Sequence, residues 1–210
     1  MGSFRLLILD YDGTLADSGQ WFADNINRFA ARHGFRSVAP EEIETLRAMP
    51  TREVIRHLKV RPWRLPSIAR DMRRAVAEPG GTPSLFPGVP EFLDRVKQAG
   101  ITVAVVSSNT EANIRVGLGE ANAAKVDAFD CGASLFGKAG KLRRLARRFA
   151  VPGAEVLCVG DDSRDVDAAR KAGLKVAAVS WGYATEPALR SASPDYVVHS
   201  IDELAAILGV

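Results

Sequence analysis

Leu6-Leu-Ile-Leu-Asp10-Tyr-Asp-Gly-Thr-Leu15 is the stretch on which the reading of this chain turns. Four apolar residues without polar alternation describe a strand buried on both faces, the pattern of a parallel sheet sheathed by helices. The run stops at Asp10, and in such sheets ligands bind beyond the carboxyl ends of the strands. Residues two apart on a strand share a face, so Asp10 and Asp12 are expected to converge as the chain leaves the sheet. Gly13 supplies the freedom for a sharp turn straight after them. Two carboxylates directed into one space repel unless a cation or a shared proton relieves them. An Asp-Gly turn would account for Asp12 and Gly13. It leaves Asp10 unexplained, because a buried strand must solvate that carboxylate at a cost.

Similar apolar runs recur at 101–106, 156–159, 176–179 and Tyr196–Val198. Helical patterns fall between them, at 90–99 before Gly100 and 165–172 before Gly173, each with glycine where a helix C-terminus wants it. Strand, helix, glycine, strand, repeated, specifies an α/β fold with a mostly parallel sheet. Residues 17–83 break the rhythm. Phe22, Ile26, Phe29, Ala30 and His33 fall on one helical face, and Pro40 opens a second helix carrying Ile43 and Leu46. Thr51 and Ser67 are placed to cap a third and a fourth. The Pro/Gly-rich segment Glu78-Pro-Gly-Gly-Thr-Pro83 reads as the return linker. The expected organisation is a core built from 1–16 and 84–210, with an all-helical cap at 17–83 inserted after the first strand.

A second acidic cluster, Gly160-Asp-Asp-Ser-Arg-Asp165-Val-Asp167, follows the 156–159 run. Oxygen donors with no His or Cys nearby suit Mg²⁺ better than zinc. Acidic residues at a helix N-terminus, with Asp162 or Ser163 as cap, would explain Asp162 and Asp165 but Asp161 poorly. Between the clusters, Ser107-Ser-Asn-Thr110 joins a strand to a helix. It could be a plain N-cap, or an anion site built from hydroxyls and free N–H groups. Lys138 and Lys141 precede or open an amphipathic helix, where an isolated lysine is ordinarily a surface charge.

The chain has 210 residues, 47% hydrophobic and 25% charged, with 28 basic and 25 acidic side chains giving a net charge of +3. That is globular composition without a large field. The basic run Lys141-Leu-Arg-Arg-Leu-Ala-Arg-Arg148 reads as the wet face of a helix whose Leu142, Leu145, Ala146 and Phe149 pack inward, not as a nucleic-acid patch, since no aromatics interleave with it. Cys131 and Cys158 read as two buried free thiols in a reducing compartment. No run reaches membrane-span length. The start lacks a signal-peptide cleavage site, and Leu6 departs from the myristoylation pattern, so a soluble cytoplasmic protein is expected. His33, His57 and His199 lie near no motif.

Four segments in order resemble the motifs of the haloacid dehalogenase superfamily of phosphohydrolases: Asp10-Tyr-Asp-Gly-Thr-Leu15, Ser107, Lys138, and Gly160-Asp-Asp-Ser-Arg-Asp165 with Ala168-Ala-Arg-Lys-Ala-Gly173. The tail Gly182-Tyr-Ala-Thr185 and Pro194-Asp-Tyr-Val-Val198 is similar to phosphoglycolate-phosphatase-like members. The resemblance implies a Rossmann-like parallel sheet with helices on both faces and a helical cap that closes over small substrates. It implies a Mg²⁺-dependent phosphatase acting on a small phosphorylated metabolite, with no nucleic-acid or membrane partner. Asp10 would be the nucleophile forming an aspartyl-phosphate, and Asp12 the proton donor and then acceptor. Ser107, the Ser108 N–H and Lys138 would hold the phosphoryl oxygens, with Lys141 the alternative to Lys138. Mg²⁺ would sit on the Asp10 carboxylate, the Asp12 carbonyl and Asp161, with Asp165 in support. The side chains at 10, 12 and 161 are expected to gather around that ion. Met49-Pro-Thr-Arg52 resembles a cap segment whose arginine binds a second anionic group, against an ordinary exposed arginine. A phosphomutase would use the same core residues, and a catalytically idle binding protein would keep the fold alone. Aspartate at position 12 favours cleavage of a phosphorus–oxygen bond over carbon–halogen or phosphonate chemistry.

Overall fold

β1 (Leu6–Leu9) runs parallel between β2 (Thr102–Val106) and β4 (Val156–Gly160), with Leu6 opposite both Thr102 and Val156. β3 (Ala128–Asp130) extends the sheet beyond β2, and β5 (Lys175–Val179) and β6 (Tyr196–Val198) extend it beyond β4. The computed structural model describes residues 4–49, 51–78, 80–132 and 137–210. The readings that touch residues 1–3, Pro50, Pro79 and Phe136 lie outside the described residues. Strand order β3-β2-β1-β4-β5-β6 reverses direction of growth between β1 and β4, which is the switch point where such sheets open a crevice. The fold is an α/β parallel sheet with helices on both faces and a helical insertion.

The continuous hydrophobicity of β1 has a simple cause. Leu7 and Leu9 face one apolar layer with Phe92, Val96 and Leu204, while Leu6 and Ile8 face the other with Leu142, Leu145 and Val166. All four are fully buried. β3 escaped the sequence pattern because three residues of Ala-Phe-Asp carry no β-branched signal.

Between β1 and β2 lie α1 (Ser18–His33), α2 (Ile43–Arg47), α3 (Thr51–His57), α4 (Leu65–Val76) and α5 (Val89–Gln98). Ile26, Val38, Leu46 and Leu58 form an apolar cluster separate from the two sheet layers, with Phe22 and Val54 packed on it. The chain leaves and re-enters the sheet side by side: the Asp17 N–H donates to Ser84 O at 2.8 Å and Phe86 N–H to Leu15 O at 2.9 Å. The remaining helices are α6 (Glu111–Ala123), α7 (Lys138–Arg148), α8 (Ser163–Ala172), α9 (Glu186–Ser191) and α10 (Ile201–Leu208).

Two expected caps are corrected. Thr51 lies inside the first turn of α3 and donates its hydroxyl to Asp162 Oδ2 at 2.8 Å, and Ser67 lies inside α4 and donates to Arg64 O. Each hydroxyl found a different acceptor. Asp162 caps α8, and Thr110 caps α6. Cys158 is buried, but Cys131 is only half-buried; both are free. Burial pushes their thiols up, to about 12 and about 11, so neither is a poised thiolate. Among the described residues no helix is long and apolar enough to cross a membrane.

Candidate active site

Past Leu9 the backbone turns at once. The Asp10 N–H still donates to Val159 O, but Leu15 and Ala16 N–H both donate back to Tyr11 O, closing a tight loop over Asp12, Gly13 and Thr14. Gly13 sits at φ +77°, and a methyl group there would overlap the Asp161 carboxylate. From the neighbouring strand, Asp161 follows β4, and Asp165 reaches in from the first turn of α8. Carboxylate oxygens of Asp10, Asp161 and Asp165 all lie within 4.8 Å of one another.

Lys138 Nζ, at the start of α7, stands 3.0 Å from Asp10 Oδ1 and 2.6 Å from Asp165 Oδ1. Lys141, one turn later, is committed elsewhere: it pairs with Asp130 at 2.8 Å and donates to Cys131 O at 3.0 Å. Geometry therefore brings Lys138, and not Lys141, to the cluster. Burial disfavours the Lys138 ammonium, but Asp10 and Asp165 outweigh it and hold the group charged.

Asp161 is the most deeply buried member. Its Oδ1 accepts from Thr14 Oγ1 at 3.2 Å and its Oδ2 from the Tyr183 N–H at 2.7 Å. Gly182 permits this approach, since a methyl there would also meet Asp161. The same loop is gripped by α2: the Arg47 guanidinium donates to Gly182 O at 3.0 Å and Tyr183 O at 3.2 Å. The Tyr183 hydroxyl in turn donates to Ser18 Oγ at 2.7 Å. Asp165 Oδ2 accepts from the Asp162 N–H at 3.1 Å, so the box that starts α8 also orients this carboxylate.

The expectation that the side chains at 10, 12 and 161 gather together is corrected. β1 ends at Leu9, so Asp10 and Asp12 both lie beyond the strand whose alternation would have set their directions. The Asp12 carboxylate turns instead to Ser107 Oγ and Asn109 Nδ2, each 3.5 Å from Oδ2, and Asp165 takes its place in the cluster. Ser107 is buried at the end of β2, Ser108 beside it is exposed, and Arg52 is exposed in the first turn of α3. Sequence reading missed Thr14, Ser18, Asn109 and Tyr183. The one signal available was their adjacency to the motifs.

Three ionised carboxylates this close repel by about 3 kcal/mol per pair even at an effective dielectric of roughly 20, and Lys138 offsets part of that. Burial pushes the Asp10 carboxyl up to about 7, with Asp165 and Asp12 adding to the rise and Lys138 opposing it. Burial, then the charges of Asp165 and Asp10, hold Asp161 well above the usual carboxylate range. Such a set fits a hard divalent cation: oxygen donors only, converging, and short of positive charge. A pH dependence follows. Folded, metal-free protein keeps the Asp10 proton up to about 7, whereas unfolded chain loses it near 3.8. The folded state binds more protons in that window, so stability falls as pH rises through it. Melting curves in chelator are expected to drop from about pH 4 to about pH 7, and added Mg²⁺ to flatten the decline. A flat curve in chelator contradicts the charge arrangement.

The model of the haloacid dehalogenase-like hydrolases matches residues 7–179. Among curated proteins, the chain is 29% identical over 201 residues to a phosphoglycolate phosphatase of Synechococcus elongatus, covering 95% of both chains. It is 30% identical to that of Agrobacterium fabrum, covering 96% of this chain and 90% of the other. It is 32% identical to the tyrosine-protein kinase PtkA of Mycobacterium tuberculosis, covering 98% and 73%. Among solved structures, a haloacid dehalogenase-like hydrolase from Streptococcus pneumoniae superposes with a TM-score of 0.80 at 18% identity, covering 99% of each chain.

Proposed function

The chain belongs to the haloacid dehalogenase-like hydrolases, and from that premise we propose that it is a Mg²⁺-dependent phosphatase that hydrolyses a small phosphate monoester through an aspartyl-phosphate. The observation that carries the reading is the joint placement of Asp10, Asp161, Asp165 and Lys138 at the β1–β4 crevice, with Asp12 held outside the cluster. Asp10, Asp161 and Asp165, with the Asp12 carbonyl, would hold the ion. Bound there, a divalent cation supplies charge neutralisation between a carboxylate and an anionic phosphoryl group.

The chain's own groups do the rest. An Asp10 carboxylate oxygen attacks phosphorus as the bond to the ester oxygen breaks, leaving Asp10 phosphorylated. Asp12 gives its proton to the departing oxygen and then takes one from the water that cleaves the acyl-phosphate, releasing free phosphate. Burial raises the Asp12 carboxyl, against the pull of hydrogen bonds from Asn109, Ser18 and Ser107, which favours a carboxyl with a proton to give. Ser107, the Ser108 N–H and the Lys138 ammonium would hold the phosphoryl oxygens. Residues 17–83 would close over the site as a cap, and Arg52 would meet a second anionic group of the substrate. The phosphoglycolate phosphatases among the relatives make a short phosphorylated carboxylic acid the first ester to assay.

The test is turnover of an aryl phosphate and a panel of metabolite phosphates, with Mg²⁺ and with chelator, reading free phosphate. Activity is expected only with the ion. Lys138→Ala should cost roughly a hundredfold, of the order found when one oxyanion donor is removed, while Lys141→Ala stays near wild type. Activity that survives chelation, or an equal loss in both lysine variants, defeats the assignment.

A further inference from the structure

Asn109 is buried at the junction of β2 and α6, and every part of it but one amide donor is spoken for. Its backbone N–H donates to Ser107 Oγ at 3.0 Å, and its backbone carbonyl accepts from Gly132 N–H at 2.8 Å. Its side-chain Oδ1 accepts from the Thr110 N–H at 2.9 Å and from Asn113 Nδ2 at 3.1 Å. Two donors at one end fix which way the amide lies, because a flip would set NH₂ against both of them. Nδ2 is therefore obliged to point the other way, where Asp12 Oδ2 stands 3.5 Å off. Ser107 Oγ, accepting from the Asn109 N–H, is left to direct its own proton at the same Asp12 oxygen.

Asn113 is fixed in its turn. Its N–H donates to the Thr110 hydroxyl in the cap of α6, and its Nδ2 also donates to Arg73 O at 2.8 Å. That carbonyl belongs to the last turn of α4, where helix carbonyls lack an intrahelical partner. One side chain thus closes the end of α4 and braces Asn109.

We propose that Asn109 is a positioning residue for Asp12, braced by Asn113 against the end of α4. It presents a donor to Asp12 Oδ2, the oxygen that Ser107 Oγ also faces, and so fixes the orientation of that carboxyl group. The inference rests on the phosphatase reading and extends it to residues outside the four motifs. Apo hydrogen bonds at catalytic groups are often long and tighten with substrate bound, as the 3.5 Å separation allows.

The experiment uses Asn109→Ala and Asn113→Ala in the full chain with Mg²⁺, on p-nitrophenyl phosphate and on an alkyl phosphate, with steady-state and rapid-mixing kinetics. Nitrophenolate leaves without much help from an acid, whereas an alkoxide needs the proton and both phosphoenzymes need the base. Asn109→Ala is expected to lower kcat on the alkyl ester by at least roughly tenfold, a fraction of what acid–base catalysis supplies, with KM within about twofold. On the aryl ester it should keep a fast burst of one nitrophenolate per site, followed by slowed turnover. Asn113→Ala should move the same step by a smaller factor, and it reads the proposal if Asn109→Ala does not fold. A raised KM, a burst slowed in parallel with turnover, or kinetics unchanged in both variants overturns the assignment. A wild-type protein that cleaves neither ester overturns the phosphatase reading itself, and this inference with it.

Discussion

Asp10→Asn is expected to abolish steady-state turnover, by at least roughly a hundredfold, the order seen when a nucleophile is removed. Asparagine keeps the shape of the side chain and removes one charge, so the loss should fall on kcat and not on folding. The structure sharpens this. Asp10 is a half-buried carboxyl already pushed up to about 7, chiefly by its removal from water. Replacing it with a neutral amide removes a repulsive member of the cluster, while Lys138 keeps its 2.6 Å partner Asp165. The melting temperature at neutral pH is therefore expected to hold or rise as activity disappears. Acid quench of wild type during turnover should trap phosphate on the protein, and the variant should trap none. Turnover in Asp10→Asn within tenfold of wild type would end the covalent mechanism.

Gly13→Ala carries the second large effect. The residue lies at φ +77°, where a side chain costs about 1–2 kcal/mol, and the added methyl would overlap Asp161 Oδ2 and the Tyr183 ring. Neither neighbour can yield freely. Asp161 Oδ2 is held by the Tyr183 N–H and Oδ1 by Thr14, and Tyr183 is held by Ser18. The carboxylate has to leave the cluster or the loop has to open. Mg²⁺ titration of activity should show the half-saturating concentration raised at least about tenfold, with kcat lowered at saturation, as losing a metal-orienting contact does. Denaturant unfolding should show a loss of about 1–3 kcal/mol. A variant with wild-type Mg²⁺ dependence would show that the turn does not position Asp161.

Much of this was legible in the chain. Leu6–Leu9 announces a doubly buried strand because both helical layers pack on it, and Asp10 and Asp161 stand out because an acid directly after such a strand needs a reason. What stayed hidden depends on contacts between distant segments. Thr14 and Tyr183 meet Asp161 across separations of 147 and 22 residues, and nothing in a threonine or a tyrosine advertises that. Lys138 and Lys141 differ by less than one helical turn, and only the seating of α7 against α8 and β2 sends the first to Asp10 and the second to Asp130. The two-residue alternation of a strand pairs Asp12 with Asp10, but both lie beyond Leu9, where the strand ends. A hydroxyl before an apolar helical run usually caps it, which is the signal that Thr51 and Ser67 carry. Here each had another acceptor within reach.

The excursion that begins at Asp17 returns at Ser84 to within one hydrogen bond of its point of departure. Its two attachment points are neighbours, and each doubling of the length between them would add only about 0.6 kcal/mol to the cost of closing that loop. Length and sequence inside the excursion are thereby released from the constraints of the hydrolytic scaffold. A different helical insertion could be spliced in at the same two junctions while leaving the register of every strand untouched, which is how one reaction centre can be refitted to new partners.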